Sequence, residues 1–341
     1  MGGDSGHRPL VIVGPTASGK SALAMELARR ARFRPDIAGM TELVSVDSMQ
    51  VYRGMDIGTA KPTAAEQADV PHHLIDLVDP AERFTVVDYA TAFEAAMSDI
   101  ADRGAVPLLV GGTGLYLRAV IDGLTPPPEF PSIAAELEAE ACAAGEPEGT
   151  VALHCRLAEL DPLAASRMEP TNLRRIVRAL SVCLGTGRPF SSYGPGLTSY
   201  APVPYRIVGV EIDRDTLDQR IAQRYRQQIE AGFVEEVRRL MSDHTSNEPG
   251  SAAGVGDWST QAPSQPAAPL SRTAAQALGY KELRAHLAGE CTLDDALEVA
   301  IARTRRFARR QQRWFARDPR IIWIPHESAA EMADRVEQLE P

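Results

Sequence analysis
The chain is poor in cysteine. Its four cysteines, Cys142, Cys155, Cys183 and Cys291, stand far apart and form no C-x-x-C pair. That spacing argues against a disulfide framework and a zinc ribbon, and it suits a reducing compartment. Long apolar runs are missing as well: none approaches the roughly 18 residues that span a bilayer. The opening MGGDSGHRP is polar. It lacks the apolar centre of a secretory signal, so a cytoplasmic protein off the membrane is expected. An excess of basic charge is also absent. The 36 Lys and Arg face 46 Asp and Glu, a net charge of −10. Taken globally, that sign argues against a nucleic-acid partner. Salt screens charges beyond about 10 Å, however, so local distribution outweighs the sum.

What is present is ordinary globular material. The 341 residues are 44% hydrophobic and 24% charged, enough for one large domain and a smaller one. Residues 8–122 alternate short apolar strands, at 10–13, 43–47 and 106–111, with helical patterns. This predicts an α/β fold, a parallel sheet flanked by helices. At Pro126-Pro127-Pro128 the character changes, and 130–186 reads as helical. A strand at 205–212 then resumes the sheet. The expected organisation is an α/β core from 1–124 and 203–341, interrupted by an all-helical insertion at 125–202. Ile221, Tyr225, Ile229, Phe233 and Val237 recur every four residues and predict one long helix over 213–241. Residues 243–271, rich in Gly, Pro, Ser and Ala, read as a flexible loop. Helices at 273–287 and 293–316, a strand at 321–324 and a helix at 328–339 complete the pattern.

The run Gly14-Pro15-Thr16-Ala17-Ser18-Gly19-Lys20-Ser21 fits G-x-x-x-x-G-K-[ST]. It follows the strand at 10–13 and precedes a helical pattern, the context that a phosphate-binding loop requires. Glycines let the backbone N–H groups turn inward onto an anion. The helix N-terminus adds partial positive charge, and Lys20 adds a full one. The Ser21 hydroxyl is placed to ligate Mg²⁺. The motif alone does not say which di- or triphosphate binds.

Five further segments carry chemistry. The first runs from Ser45 to Pro62 (SVDSMQVYRGMDIGTAKP), with Asp47 at a strand end. An acid there is costly without a partner or a task; a Mg²⁺ ligand and a helix cap are both open readings. The second, Pro71-His72-His73-Leu74-Ile75-Asp76, lacks a third metal ligand at suitable spacing, which favours structural hydrogen bonds. The third is Gly111-Gly112-Thr113-Gly114-Leu115-Tyr116, where backbone can approach a ligand closely and the Thr113 hydroxyl can hydrogen-bond to it. The fourth, Asn172 to Leu180, sets Arg174 and Arg178 on one helix face. The fifth is Gly279-Tyr280-Lys281-Glu282, followed by Arg303–Arg317, which holds seven arginines and no acid.

Together and in order, these segments resemble the tRNA dimethylallyltransferases of bacteria, also called tRNA isopentenyltransferases. The matching stretches run from Gly14 to Phe315, nearly the whole chain. Departures are few: Leu278 stands where isoleucine is usual, Arg309 and Arg313 replace lysine and threonine, and the 243–271 loop is longer than the family leads one to expect.

The resemblance implies a phosphate-loop fold with an inserted helical domain that grips the tRNA anticodon stem-loop. It implies transfer of a dimethylallyl group from dimethylallyl diphosphate to N6 of the adenosine 3′ to the anticodon. Gly14, Thr16, Ala17, Ser18, Gly19, Lys20 and Ser21 would then hold the diphosphate, with Mg²⁺ on Ser21. Asp47 would be the general base, Thr113 would position the reacting centre, and Arg224 would clamp the diphosphate, with Arg220 the competitor. A flipped-out base stacks on aromatic rings and arginine planes. The resemblance places the RNA contacts at Asp47, Ser48, Met49, Gln50, Thr113, Arg174, Arg175, Ile176, Val177, Arg178, Gly279, Tyr280, Lys281, Arg305, Arg309 and Arg310. A monomer is expected. Three other readings stay open: prenylation of free adenine nucleotides, a phosphate-loop kinase of small molecules, and a non-catalytic RNA-binding protein.

Overall fold
A computed structural model describes residues 8–31, 40–124, 126–194, 196–197, 199–242 and 270–339. Residues 243–269 of the segment expected to be a flexible loop lie outside the described residues. The chain forms two compact units, Met1–Leu117 with Pro202–Pro341, and Arg118–Ala201.

The first unit is built on β1 (Leu10–Val13), α1 (Lys20–Ala31), β2 (Thr41–Val46), α2 (Ala64–Asp69), β3 (His72–His73), α3 (Val86–Asp102), β4 (Val106–Gly111) and the start of α4 (Gly114–Ile121). The sheet order is β3-β2-β4-β1-β5-β6, with β5 at Arg206–Glu211 and β6 at Ile321–Pro325. All its pairings are parallel. Val11, Ile12 and Val13 of β1 are fully buried, as a central parallel strand covered on both faces requires. One core layer packs Leu23, Ala24 and Ala28 of α1 and Met332, Ala333 and Val336 of α14 (Ala329–Gln338) against Ile12, Leu43, Val110 and Val208. Parallel strands bring their C-terminal ends to one edge, where open α/β sheets place their ligands.

The second unit holds α5 (Pro131–Ala144), α6 (Glu148–Leu160), α7 (Pro162–Ser166) and α8 (Leu173–Thr186). Its core is Leu137, Leu153, Leu157, Ile176 and Leu180. Buried Asp161 joins its pieces, accepting from the backbone N–H of Ala164 (3.0 Å) and of Ser191 (2.7 Å) and from the Ser191 hydroxyl (2.8 Å).

Three expectations are corrected. The single helix over 213–241 is two helices, α9 (Arg214–Glu230) and α10 (Phe233–Ser242). The chain turns between them at Gly232, whose φ is +96°. The four-residue spacing runs through the break because Ile221, Tyr225, Phe233 and Val237 are all buried. Likewise 273–287 divides into α11 (Arg272–Ala275) and α12 (Tyr280–Leu287) at Gly279, where φ is +86°. A side chain at 279 would also press a Cβ to 2.7 Å from the Phe233 ring. Residue 271 departs from the loop reading as well: Ser271 caps α11, its hydroxyl accepting from the Ala274 N–H at 3.3 Å. The long helix α13 (Leu293–Phe315) starts at Thr292, which forms a capping box with Asp295.

Candidate functional site
The C-terminal ends of β1, β2 and β4 carry the phosphate loop, Asp47 and Thr113. After β1 the chain turns through Ala17 (φ 64°) and Gly19 (φ 90°) before α1 begins at Lys20. An alanine in the left-handed region costs about 1 kcal/mol or more, and such strain is held at a site by the structure around it. The loop is tight: a Cβ on Gly14 would lie 2.7 Å from the Ser18 hydroxyl. That hydroxyl is buried and has no hydrogen-bond partner among the described residues. Ser21 is exposed.

Two cations converge here, and among the described residues no carboxylate bonds to either. Lys20 donates to the Pro15 carbonyl at 3.3 Å. Burial pulls its pKa down to about 8, with the nearby Asp47 charge opposing the shift and Arg224 adding to it. Arg224 on α9 donates to the Thr16 hydroxyl at 2.9 Å and to the Gly58 carbonyl at 3.4 Å. Arg220, one turn earlier, donates to the Ala17 carbonyl at 2.7 Å. Both candidate clamps therefore reach the loop. Arg224 shares its electrostatic surroundings with Lys20 and Asp47. Arg220 instead acts on His326, whose pKa is lowered by burial and by that guanidinium.

Asp47 accepts from the Met49 N–H at 2.8 Å, a local turn that fixes its carboxylate. Thr113 ties the β4 end to this turn, its hydroxyl accepting from the Ser48 N–H at 3.2 Å. Behind them Tyr89 donates to the Ser45 carbonyl at 2.7 Å, with its ring 4.5 Å from that of Tyr116.

Residues distant in sequence hold this frame, and sequence reading missed their part. The Gln311 side chain accepts from the Thr16 N–H at 2.9 Å and donates to the Gly112 carbonyl at 2.8 Å, so α13 joins the β1 and β4 turns. A side chain on Gly114 would collide with the Trp314 indole. Buried Glu236 of α10 accepts from the N–H groups of Asp56 (2.9 Å), Ile57 (2.7 Å) and Gly58 (3.1 Å), and from the Tyr280 hydroxyl (2.6 Å). Gln228 completes the clamp, donating to the Ile57 carbonyl at 2.6 Å. The available signals were an acid on the buried stripe of α10 and an uncharged glutamine among seven arginines.

Several residues expected to touch RNA have partners inside the protein. Gln50 donates to the carbonyls of Thr59 (3.3 Å) and Ala60 (3.1 Å) and accepts from the Ser45 hydroxyl (2.7 Å). Tyr280 is buried, as is Gly279, while Lys281 is exposed. Arg305 and Arg309 pair with Asp218 of α9, at 3.8 and 3.0 Å. The outer face of α13 differs: Arg306, Arg310 and Arg313, with Arg317 just past the helix end, are exposed. In the helical unit Ile176 and Val177 are buried in the core. Their side chains are spent on packing because α8 turns its apolar stripe inward. Arg178 donates to the carbonyls of Pro127 (2.5 Å) and Pro128 (2.8 Å), whereas Arg174 and Arg175 are exposed.

The adjacent histidines hold structure at the far end of the sheet. His72 bonds the Val70 carbonyl at 2.7 Å, and His73 bonds Glu42 at 2.6 Å. Among the described residues no three His, Cys, Asp or Glu side chains cluster as a metal site. No helix among them is long and apolar enough to cross a membrane.

Residues 50–318 match the family model described as IPP transferase. A tRNA dimethylallyltransferase of Geobacter metallireducens is 44% identical over 322 residues, 94% of this chain and 93% of that protein. The full-length tRNA isopentenylpyrophosphate transferase of Bacillus halodurans superposes with a TM-score of 0.61 at 35% identity, covering 97% of this chain and 96% of its own. A eukaryotic dimethylallyltransferase solved acting on tRNA shares the fold, with a TM-score of 0.69 at 23% identity over 97% of this chain and 76% of its own. With a phosphate loop, an aspartate and a threonine gathered at one end of its sheet, and matches of this extent, the chain belongs to the IPP transferase family.

Proposed function
We propose that this enzyme transfers a dimethylallyl group from dimethylallyl diphosphate to N6 of the tRNA adenosine 3′ to the anticodon, releasing diphosphate. One observation supports a diphosphate-bearing donor, and the family resemblance supplies its dimethylallyl group. Among the described residues Lys20 and Arg224 meet at the phosphate loop with only neutral hydrogen-bond partners, so their charge is available to an anion. As the allylic C–O bond breaks, negative charge grows on the leaving diphosphate. Loop N–H groups, Lys20 and Arg224 stabilise it. N6 attacks the allylic carbon and its proton passes to the Asp47 carboxylate. Thr113, linked to Ser48 beside Asp47, positions the acceptor. Arg224, which donates to the Thr16 hydroxyl inside the loop and lies in the field of Asp47 beside Lys20, is the preferred clamp over Arg220.

The described residues supply no carboxylate cluster that would cage a cation unaided. Mg²⁺ commonly binds through substrate phosphates and few protein ligands. The exposed Ser21 hydroxyl would be its protein ligand, and the ion would neutralise diphosphate charge.

Exposed Arg174 and Arg175 in the helical unit, and Arg306, Arg310 and Arg313 on α13 with Arg317 just past its end, support an RNA partner. Contacts from such arginines to phosphates make binding salt-sensitive. A free adenine nucleotide needs neither surface. This reading places a monomeric enzyme in the cytoplasm with its tRNA.

The test supplies Mg²⁺, labelled dimethylallyl diphosphate and either unmodified tRNA or AMP to wild type and Asp47→Ala. Label enters tRNA alone, and the variant is slower by about 100- to 10,000-fold, the range of a general base. Label in AMP, or a requirement for ATP, overturns the reading.

A further inference from the structure
The segment Asp56-Ile57-Gly58 is held in a way that nothing in the proposed chemistry calls for. Three consecutive N–H groups point at one carboxylate, that of Glu236, as they would at a bound anion. Glu236 is 1% exposed, and its fourth donor is the hydroxyl of Tyr280, itself 1% exposed. Charge-assisted bonds of this kind are about twice as strong as neutral ones. The far side of the same segment faces the phosphate loop. The Gly58 carbonyl accepts from Arg224 at 3.4 Å and from Gln228 at 3.1 Å, and Arg224 continues to the Thr16 hydroxyl at 2.9 Å. The segment cannot drift towards Glu236, because Phe233 and Tyr280, edge to face at 4.9 Å, fill the space beneath Gly58.

We infer that Glu236 and Tyr280 are positioning residues for the diphosphate end of the site, acting through the 56–58 segment to set the Arg224 guanidinium on the phosphate loop. This rests on the diphosphate reading above and extends it to residues that touch neither substrate. It also moves Tyr280 away from RNA contact: a hydroxyl buried against Glu236 has no surface left to offer a base. Glu236→Gln replaces two acceptor oxygens by one oxygen and an amide that confronts N–H groups with N–H groups. The segment then shifts, and Arg224 loses the Gly58 carbonyl. Tyr280→Phe removes a single bond and leaves the packing in place.

The experiment measures inorganic pyrophosphate binding by calorimetry, with Mg²⁺ and without tRNA, for wild type, Tyr280→Phe, Glu236→Gln, Arg224→Ala and the Glu236→Gln/Arg224→Ala double variant. Circular dichroism checks each fold. Tyr280→Phe and Glu236→Gln should weaken pyrophosphate about five- to fiftyfold, the range expected when a buried polar group loses its partner. Tyr280→Phe should leave the tRNA dissociation constant unchanged. In the Arg224→Ala background Glu236→Gln should add little, since its effect runs through that guanidinium. If Glu236→Gln does not fold, Tyr280→Phe with a Tyr280→Phe/Arg224→Ala double variant makes the same test. Unchanged pyrophosphate affinity in folded variants, or losses that multiply with Arg224→Ala, overturns the inference while leaving the diphosphate reading intact. A wild type that does not bind pyrophosphate at all overturns both.

Discussion

At the N-terminal end of the sheet Glu42 takes Arg103 through both oxygens, at 3.2 and 2.7 Å, and His73 at 2.6 Å. At the C-terminal end Lys20 and Arg224 bond to two carbonyls and a hydroxyl, with Asp47 near but turned to the Met49 N–H. The same parallel sheet thus satisfies charge at one end and leaves it available at the other. The electrostatics follow. The Glu42 carboxyl is held below its ordinary range by Arg103, against burial, with help from His73. The Lys20 ammonium is pulled down towards 8 because burial outweighs the single opposing charge. A charge paired inside the fold serves stability. One held by neutral groups in a partly desolvated site costs stability, which marks it as a candidate for ligand binding.

The largest effect should come from removing charge at the available end. Lys20→Ala should slow single-turnover prenyl transfer by about 100- to 1000-fold, as loss of one transition-state donor does elsewhere. Its denaturation midpoint should not fall, since a poorly solvated ammonium has been removed. A large loss of stability with little loss of rate would collapse the contrast between the two ends.

The opposite outcome is expected at the paired end. Glu42→Gln should destabilise the fold by about 1–2 kcal/mol in chemical denaturation, because Gln offers one acceptor where two charged oxygens served. Transfer at saturating substrate should be unchanged. A rate defect without a stability change would mean that this end also serves the reaction.

The smallest and sharpest effect concerns pH. Lys20 binds an anion only when protonated, so the affinity of the free enzyme for pyrophosphate should fall as pH rises through about 8. The expected decrease is about fourfold between pH 7 and pH 8.5. Fold stability runs the other way. The unfolded lysine holds its proton to higher pH, so this group's contribution to stability grows from about pH 8 to about pH 10.5. Lys20→Arg keeps its charge throughout and should flatten the affinity profile. A slope that survives in Lys20→Arg would assign the titration to another group.

Much of the site could be read in advance because its residues sit next to one another in the chain. The phosphate loop is one contiguous turn, and Asp47 and Thr113 each follow an apolar strand within a recognisable stretch. The α13 arginines were harder. Sequence placed them together on one helix, but not on which side. The fold turns Arg305 and Arg309 to Asp218 and leaves Arg306, Arg310 and Arg313 outward. The turn at Gly232 escaped notice because apolar spacing continued across it.

The sequence by itself determined the strand-and-helix alternation, the tight loop over 14–21 from β1 into α1 and the chemical types gathered around it, since hydrophobic period and motif spacing are local properties. Only the tertiary structure decided which polar groups hold that loop in shape. Glu236 meets Gly58 across 178 positions, Gln311 meets Gly112 across 199 and Arg224 meets Thr16 across 208. Hydrogen bonds form where burial leaves donors and acceptors facing one another, and that juxtaposition exists only once the sheet has brought distant segments together.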